Sequence, residues 1–227
     1  MYELYIANKN YSSWSLRPWV LMRELGIGFA EHLMHFGQVS SWESYRKISP
    51  NGKVPCLIDG ANVVWDSLSI VEYLAERHDG VWPVDSSARA WARSAAAEMH
   101  SGFTELRNRC SMSCGVRLRL KEMPLGLARD IGRLGGLWND GLRRFGGPFL
   151  SGKAFTAVDA FFAPVAFRIQ TYGLPFDTAS AAYASRLLKL VSMREWYADA
   201  LKERERDEPH EAEMLQMGSL LEDLREK

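Results

Sequence analysis

The chain has 227 residues, 47% of them hydrophobic and 25% charged, which is the composition of a folded globular protein of one large or two small domains. Lysine plus arginine and aspartate plus glutamate both number 28, so no net field marks a dedicated nucleic-acid or anionic-membrane binder. Cys56, Cys110 and Cys114 are too few for a disulfide framework, and a reducing, cytoplasmic setting is expected. Met1–Asn10 carries no basic segment followed by an apolar stretch, and the longest small or apolar run, Ala160–Phe167, is far below membrane-spanning length, so neither a signal peptide nor a membrane partner is expected.

In chain order, Glu3–Ala7 reads as a buried strand, Asn8–Ser15 as a polar loop, and Leu16–Leu25 as a helix with Leu16, Trp19, Val20 and Leu25 on one stripe. Ser15 is the expected cap, Pro18 falls within the first turn, and Gly26 stops the helix. Phe29–Phe36 reads as a second strand and Trp42–Ile48 as a short helix closed by Ser49-Pro50-Asn51-Gly52. Val54–Ile58 and Asn62–Trp65 form a hairpin about Asp59-Gly60, and Asp66-Ser67 opens a helix to about His78. The β-α-β-α-β-β-α order predicts a small mixed sheet flanked by helices.

Residues 79–87 read as a linker between a first domain over 1–80 and an all-α second domain over 88–227. Helices are expected over Ala88–Met112, Leu125–Phe145, Ala157–Tyr172, Ala179–Leu190 and Arg194–Arg206. A last amphipathic segment follows Pro209, with Met214, Met217, Leu221 and Leu224 at helical spacing. The charge-dense Glu203–Glu213 reads as a solvated helix end.

Three motifs bear on chemistry and a fourth on folding. Tyr11-Ser12-Ser13-Trp14-Ser15-Leu16-Arg17-Pro18 gathers hydroxyls between a strand end and a helix start, where backbone N–H groups and the helix dipole favour an anion, a thiolate included. Lys53-Val54-Pro55 is a candidate cis-proline turn whose Val54 backbone faces outward, toward a peptide-like ligand. Asp66-Ser67 joins a helix N-terminus to a carboxylate, a pairing suited to both ends of an α-amino acid. Thr156-Ala157-Val158-Asp159 is a capping-box variant and a folding signal. Gly147–Ala154 has phosphate-loop spacing except at Ala154, where a Ser or Thr would hold magnesium, and no strand precedes it; nucleotide binding is not expected. Cys110 and Cys114 are expected on one helix face, as packing residues. The five histidines lack metal-ligand spacing, so no metal is expected.

Together these motifs, in this order, resemble the cytosolic glutathione transferase family: a thioredoxin-like α/β domain followed by an all-helical one. Ser12-Ser13-Trp14-Ser15 is similar to the serine signature of the zeta class, the maleylacetoacetate isomerases, with Trp14 where that class has cysteine. The resemblance implies a glutathione cosubstrate whose thiol is held by a serine hydroxyl, Ser12 first and Ser13 next, with Tyr5 and Tyr11 as alternatives. It also implies a glutathione cradle of Ser15, Lys53, Val54, Pro55, Asp66 and Ser67, with Lys53 near the glycine carboxylate and Asp66 and Ser67 on the γ-glutamyl end. Phe103, Arg107 and Cys110 are the expected wall of a small-electrophile site. Conjugation of a small electrophile, in a homodimer without metal, is the implied activity. Glutathione-dependent cis–trans isomerisation and a non-catalytic glutathione-binding module are the alternatives.

Overall fold

The computed structural model describes residues 1–36 and 41–226. Four strands make the first sheet: β1 (Tyr2–Ala7), β2 (Phe29–Met34), β3 (Cys56–Asp59) and β4 (Asn62–Trp65), in the order β2-β1-β3-β4. β1 runs parallel to β2, with Tyr2 opposite Phe29, and antiparallel to β3, with Tyr5 opposite Cys56. The helices between them are α1 (Ser13–Glu24), α2 (Ser41–Arg46) and α3 (Ser67–Ala75). Leu4 and Ile6 of β1, Leu57 of β3, Leu16 and Val20 of α1, and Ile70 and Leu74 of α3 are all fully buried and form this domain's share of the core. This is a thioredoxin-like sheet-and-helix unit.

The second unit is mostly helical. It comprises α4 (Ser86–Ser101), α5 (Thr104–Arg109), α6 (Leu125–Phe145), α7 (Ala157–Tyr172), α8 (Thr178–Lys189), α9 (Val191–Lys202) and α10 (Glu208–Met217). α7 is buried along nearly its whole length and packs against α1, α4 and α8. Its start is the expected capping box: the Asp159 carboxylate accepts the Thr156 N–H at 3.0 Å, and also the Leu150 N–H and the Tyr183 hydroxyl. Burial pushes the Asp159 carboxyl up to about 6 despite these donors.

Several expectations need correction. α1 begins at Ser13, three residues early, and Ser12 rather than Ser15 is its cap. Pro18 therefore sits in the second turn, where its missing N–H leaves the Trp14 carbonyl without an i+4 partner. The expected Ala88–Met112 helix breaks at Gly102-Phe103, because Phe103 takes a left-handed backbone (φ 57°). Arg107 from the next turn then donates to the Met99, His100 and Gly102 carbonyls, satisfying the end of α4. Cys110 and Cys114 consequently lie outside any helix, both buried.

The second unit is also not purely helical. β5 (Val116–Leu120) pairs antiparallel with β6 (Gly218–Asp223). Val-Arg-Leu-Arg-Leu alternates with the period of a strand, and Gly218 ends the helical spacing on which Leu221 and Leu224 were placed. Glu203–Glu213 is solvated only in part: Arg204, Glu205, Glu208 and Glu213 are exposed, whereas Glu203 is buried and Glu211 pairs with Arg225.

Candidate functional site

The loop after β1 is fixed from behind before it reaches the serines. Glu203 accepts the Lys9 N–H (2.6 Å) and the Asn10 N–H (3.1 Å), and the Trp196 indole donates to the Lys9 carbonyl at 2.8 Å. The Lys9 ammonium, almost wholly buried, lies 2.8 Å from both Glu31 and Asp199. Residues from α9 thus hold the backbone that presents Ser12 and Ser13.

The three serines have separate surroundings. Ser15 is fully buried; its hydroxyl oxygen accepts the Ala7 N–H (3.1 Å) and the Ser12 hydroxyl (2.7 Å). It belongs to neither of the two cavities described below, so it supports the loop from within. Ser12 both donates to Ser15 and accepts its N–H as the helix cap. The Ser13 hydroxyl accepts from the Arg168 guanidinium at 3.4 Å, and this leaves its own proton uncommitted.

Two adjacent cavities meet at Trp14 and Val54. The smaller, about 280 Å³, is lined by Trp14, Asn51, Lys53, Val54, Pro55, Asp66 and Ser67. Here the sequence-derived cradle comes together, apart from Ser15. The Val54-Pro55 peptide is cis. Asp66 caps α3, one oxygen accepting the Leu68 N–H (2.8 Å), the other 3.6 Å from His100. Ser67 is buried, and its hydroxyl accepts from the fully buried Arg17 at 3.3 Å. A cationic side chain and a helix N-terminus therefore converge behind Ser67.

The larger cavity, about 380 Å³, is bounded by Ser12, Ser13, Trp14, Val54, Arg107 and Arg168, among others. Of the expected electrophile wall, Arg107 is present, whereas Phe103 and Cys110 are buried outside it. Tyr11 lines this cavity, but its hydroxyl donates to Glu211, and burial raises its pKa. Tyr5 lines neither cavity and donates to Glu3.

Arg17, Trp14, His100 and Arg168 had no assigned role in the sequence reading. Two guanidiniums lie over the Trp14 ring, Arg17 at 4.2 Å and Arg107 at 4.8 Å, with His100 edge-on at 5.1 Å. Burial lowers the pKa of Arg17, Arg107 and Arg168, and the neighbouring Arg107 charge depresses the other two further. Burial also holds His100 below its ordinary value, against the pull of Asp66. Local spacing does not mark these four residues, because their surroundings come from distant parts of the chain. Among the described residues no cluster of His, Cys, Asp or Glu is placed to hold a metal ion, and no helix is long and apolar enough to cross a membrane.

Comparison with known proteins agrees with this architecture. Residues 11–77 match the glutathione S-transferase N-terminal domain family. The chain is 26% identical over 190 residues to glutathione S-transferase-like protein OpS6 of Beauveria bassiana, covering 78% of this chain and 84% of that protein. It is 23% identical over 189 residues to a stringent starvation protein A homolog of Pasteurella multocida, covering 80% and 82%. It shares the fold of the theta class glutathione S-transferase of Xanthomonas axonopodis pv. citri, solved with glutathione bound, with a TM-score of 0.64 and 22% identity over 86% of this chain and 96% of that one. The family match is to residues 11–77, and the chain as a whole shares the two-domain fold of that solved glutathione S-transferase.

Proposed function

We propose that this protein is a glutathione transferase that conjugates glutathione to a small electrophile, with Ser13 as the thiolate-holding residue. The observation that carries the reading is the pair of cavities meeting at Trp14, one offering groups for each end of a peptide-like anion, the other opening beside a hydroxyl with a free proton. In this reading residues 1–80 supply the glutathione cradle, residues 88–227 the electrophile wall, and residues 79–87 join them.

Lys53 neutralises the glycine carboxylate, the Val54 backbone pairs with the cysteinyl unit, and Pro55 packs beneath it. Ser67, backed by Arg17 and the α3 N-terminus, takes the γ-glutamyl carboxylate, and Asp66 takes its ammonium. Bound glutathione supplies the nucleophile, a thiolate. Ser13 donates a hydrogen bond to that sulfur. A thiol of pKa about 8.5 is only a few per cent ionised at neutral pH, and a charge-assisted hydrogen bond of about 1.5–3 kcal/mol lowers it by roughly one to two units. Arg168, 3.4 Å from the Ser13 hydroxyl, adds positive potential on the same side. Ser12 contributes through the cap that sets the Ser13 backbone.

Calorimetry with glutathione and turnover of a small chloroaromatic electrophile test the reading. Binding at millimolar glutathione with conjugation is expected, and absence of binding refutes it. A non-catalytic binding module is the second reading, since a relative at nearly the same identity, the stringent starvation protein A homolog, carries no transferase activity in its name. Glutathione binding without turnover of any electrophile, and without isomerisation of maleylacetoacetate, would select the module. A cytoplasmic homodimer acting in detoxification completes the proposal. Sedimentation at twice the chain mass is the expected result.

A further inference from the structure

We infer that the larger cavity is a carboxylate-binding site, so that the electrophile accepted beside Ser13 carries a carboxylate held by Arg107 and Arg168.

These two charges find their hydrogen-bond partners on backbone carbonyls and a hydroxyl. Arg168 is 4% exposed, donates to the Cys110 carbonyl at 2.7 Å and reaches the Ser13 hydroxyl. Arg107 donates to the Met99, His100 and Gly102 carbonyls and stacks on Trp14. Neither forms an ion pair with a carboxylate among the described residues, although both line one cavity. The acids nearby are otherwise engaged. Asp66 faces His100 and Arg17, and Glu211 is held by Arg225 and Tyr11. Asp207, on the same cavity wall, feels His210, Glu211 and Glu213 rather than either arginine.

A buried guanidinium without a counter-charge is costly, and Arg168 lies in the field of the Arg107 charge as well. A planar carboxylate entering between them offsets that cost and matches guanidinium donor geometry. Ser111 on the same wall supplies a further hydroxyl. An apolar electrophile would desolvate both charges and return nothing.

The binding claim stands apart from the transferase reading; its extension to the electrophile rests on that reading. The test uses the full chain and two near-isosteric probes, para-methylbenzoate and para-methylbenzamide, titrated by calorimetry with and without saturating glutathione. The benzoate is expected to bind about 10- to 100-fold tighter than the amide, as charge-assisted hydrogen bonds imply, with glutathione present or absent. Arg107→Gln and Arg168→Met should each reduce that ratio about tenfold, whereas Arg133→Gln, an exposed partner of Glu98, should not move it. If Arg168→Met fails to fold, Arg107→Gln decides. Equal affinity for the two probes, displacement of benzoate by glutathione, or a ratio unmoved by Arg107→Gln overturns the inference.

The catalytic arm compares para-(bromomethyl)benzoate with its amide. The sulfur–carbon bond forms as bromide leaves with the bonding pair, and the thiol proton passes to solvent. The same preference in kcat/KM, beyond the uncatalysed ratio, is expected; its absence overturns the extension to the electrophile. A protein that fails to bind glutathione yet prefers benzoate would refute the transferase reading and leave the carboxylate site standing.

Discussion

Ser12 and Ser13 are adjacent, yet their hydroxyl protons have different fates. Ser12 gives its proton to Ser15 and accepts the Ser15 N–H, so its loss is a capping defect. Ser12→Ala should cost about 1 kcal/mol in urea unfolding, the usual value of a helix cap. Ser13→Ala should change stability little and lower kcat/KM for conjugation about 10- to 100-fold at neutral pH, with an upward shift of the thiol pKa seen by thiolate absorbance. The sequence showed three hydroxyls in a row and favoured Ser12. Only the neighbours at Ala7, Ser15 and Arg168 separate them. Those neighbours are up to 155 residues away, beyond any local pattern.

At the scale of elements, the serine loop depends on a helix from the other half of the chain. Glu203, just past α9, takes two buried backbone N–H groups of the loop, and burial raises its own pKa. Glu203→Ala strands both donors and should lower unfolding free energy by about 2–4 kcal/mol, with conjugation falling as the loop loosens. The run Glu203–Glu213 was read as solvated because charge density is a surface signal in most proteins. That rule fails where the charges find buried partners. The β5–β6 pairing was hidden for a related reason: its strands are about 100 residues apart, and a short exposed strand after a helix reads as the helix's last turn. Helices such as α6 and α7 were legible to the residue, because their amphipathic stripe, or their capping box, is local.

For the molecule as a whole, the C-terminal segment closes the fold over the site. Arg225, 4% exposed at its side chain, pairs with Glu211 and Asp223 and donates to the Tyr11 hydroxyl at 3.0 Å. Arg225→Met leaves these groups unpaired and should cost about 3 kcal/mol, with faster hydrogen exchange over residues 208–226 and 116–120. His210, on the same segment and bonded to the Met112 carbonyl, is held below its ordinary pKa chiefly by burial, against Asp207, Glu211 and Glu213. The unfolded chain therefore takes up the proton first. The stability His210 contributes is complete above about pH 6.5 and is lost as pH falls below it. The urea midpoint gap between the wild type and His210→Gln should accordingly narrow from about pH 7 to about pH 5.

Legible in the sequence were the α/β-then-helical organisation and the strand and helix order of the first 80 residues, while the Val54-Pro55 isomer and the choice between Asp66 and Ser67 as the α3 cap stayed open, and the grouping of Lys53, Val54, Pro55, Asp66 and Ser67 came from the family resemblance. The legible part is written in short-range patterns: period, cap, turn residue. Only the folded chain separates the hydroxyl protons of Ser12 and Ser13, brings Arg17 and Arg107 onto the Trp14 ring, and stands Arg168 in the cavity without a carboxylate partner among the described residues. Those facts are electrostatic and depend on which distant charges share a low-dielectric space, a property that spacing along the chain does not encode.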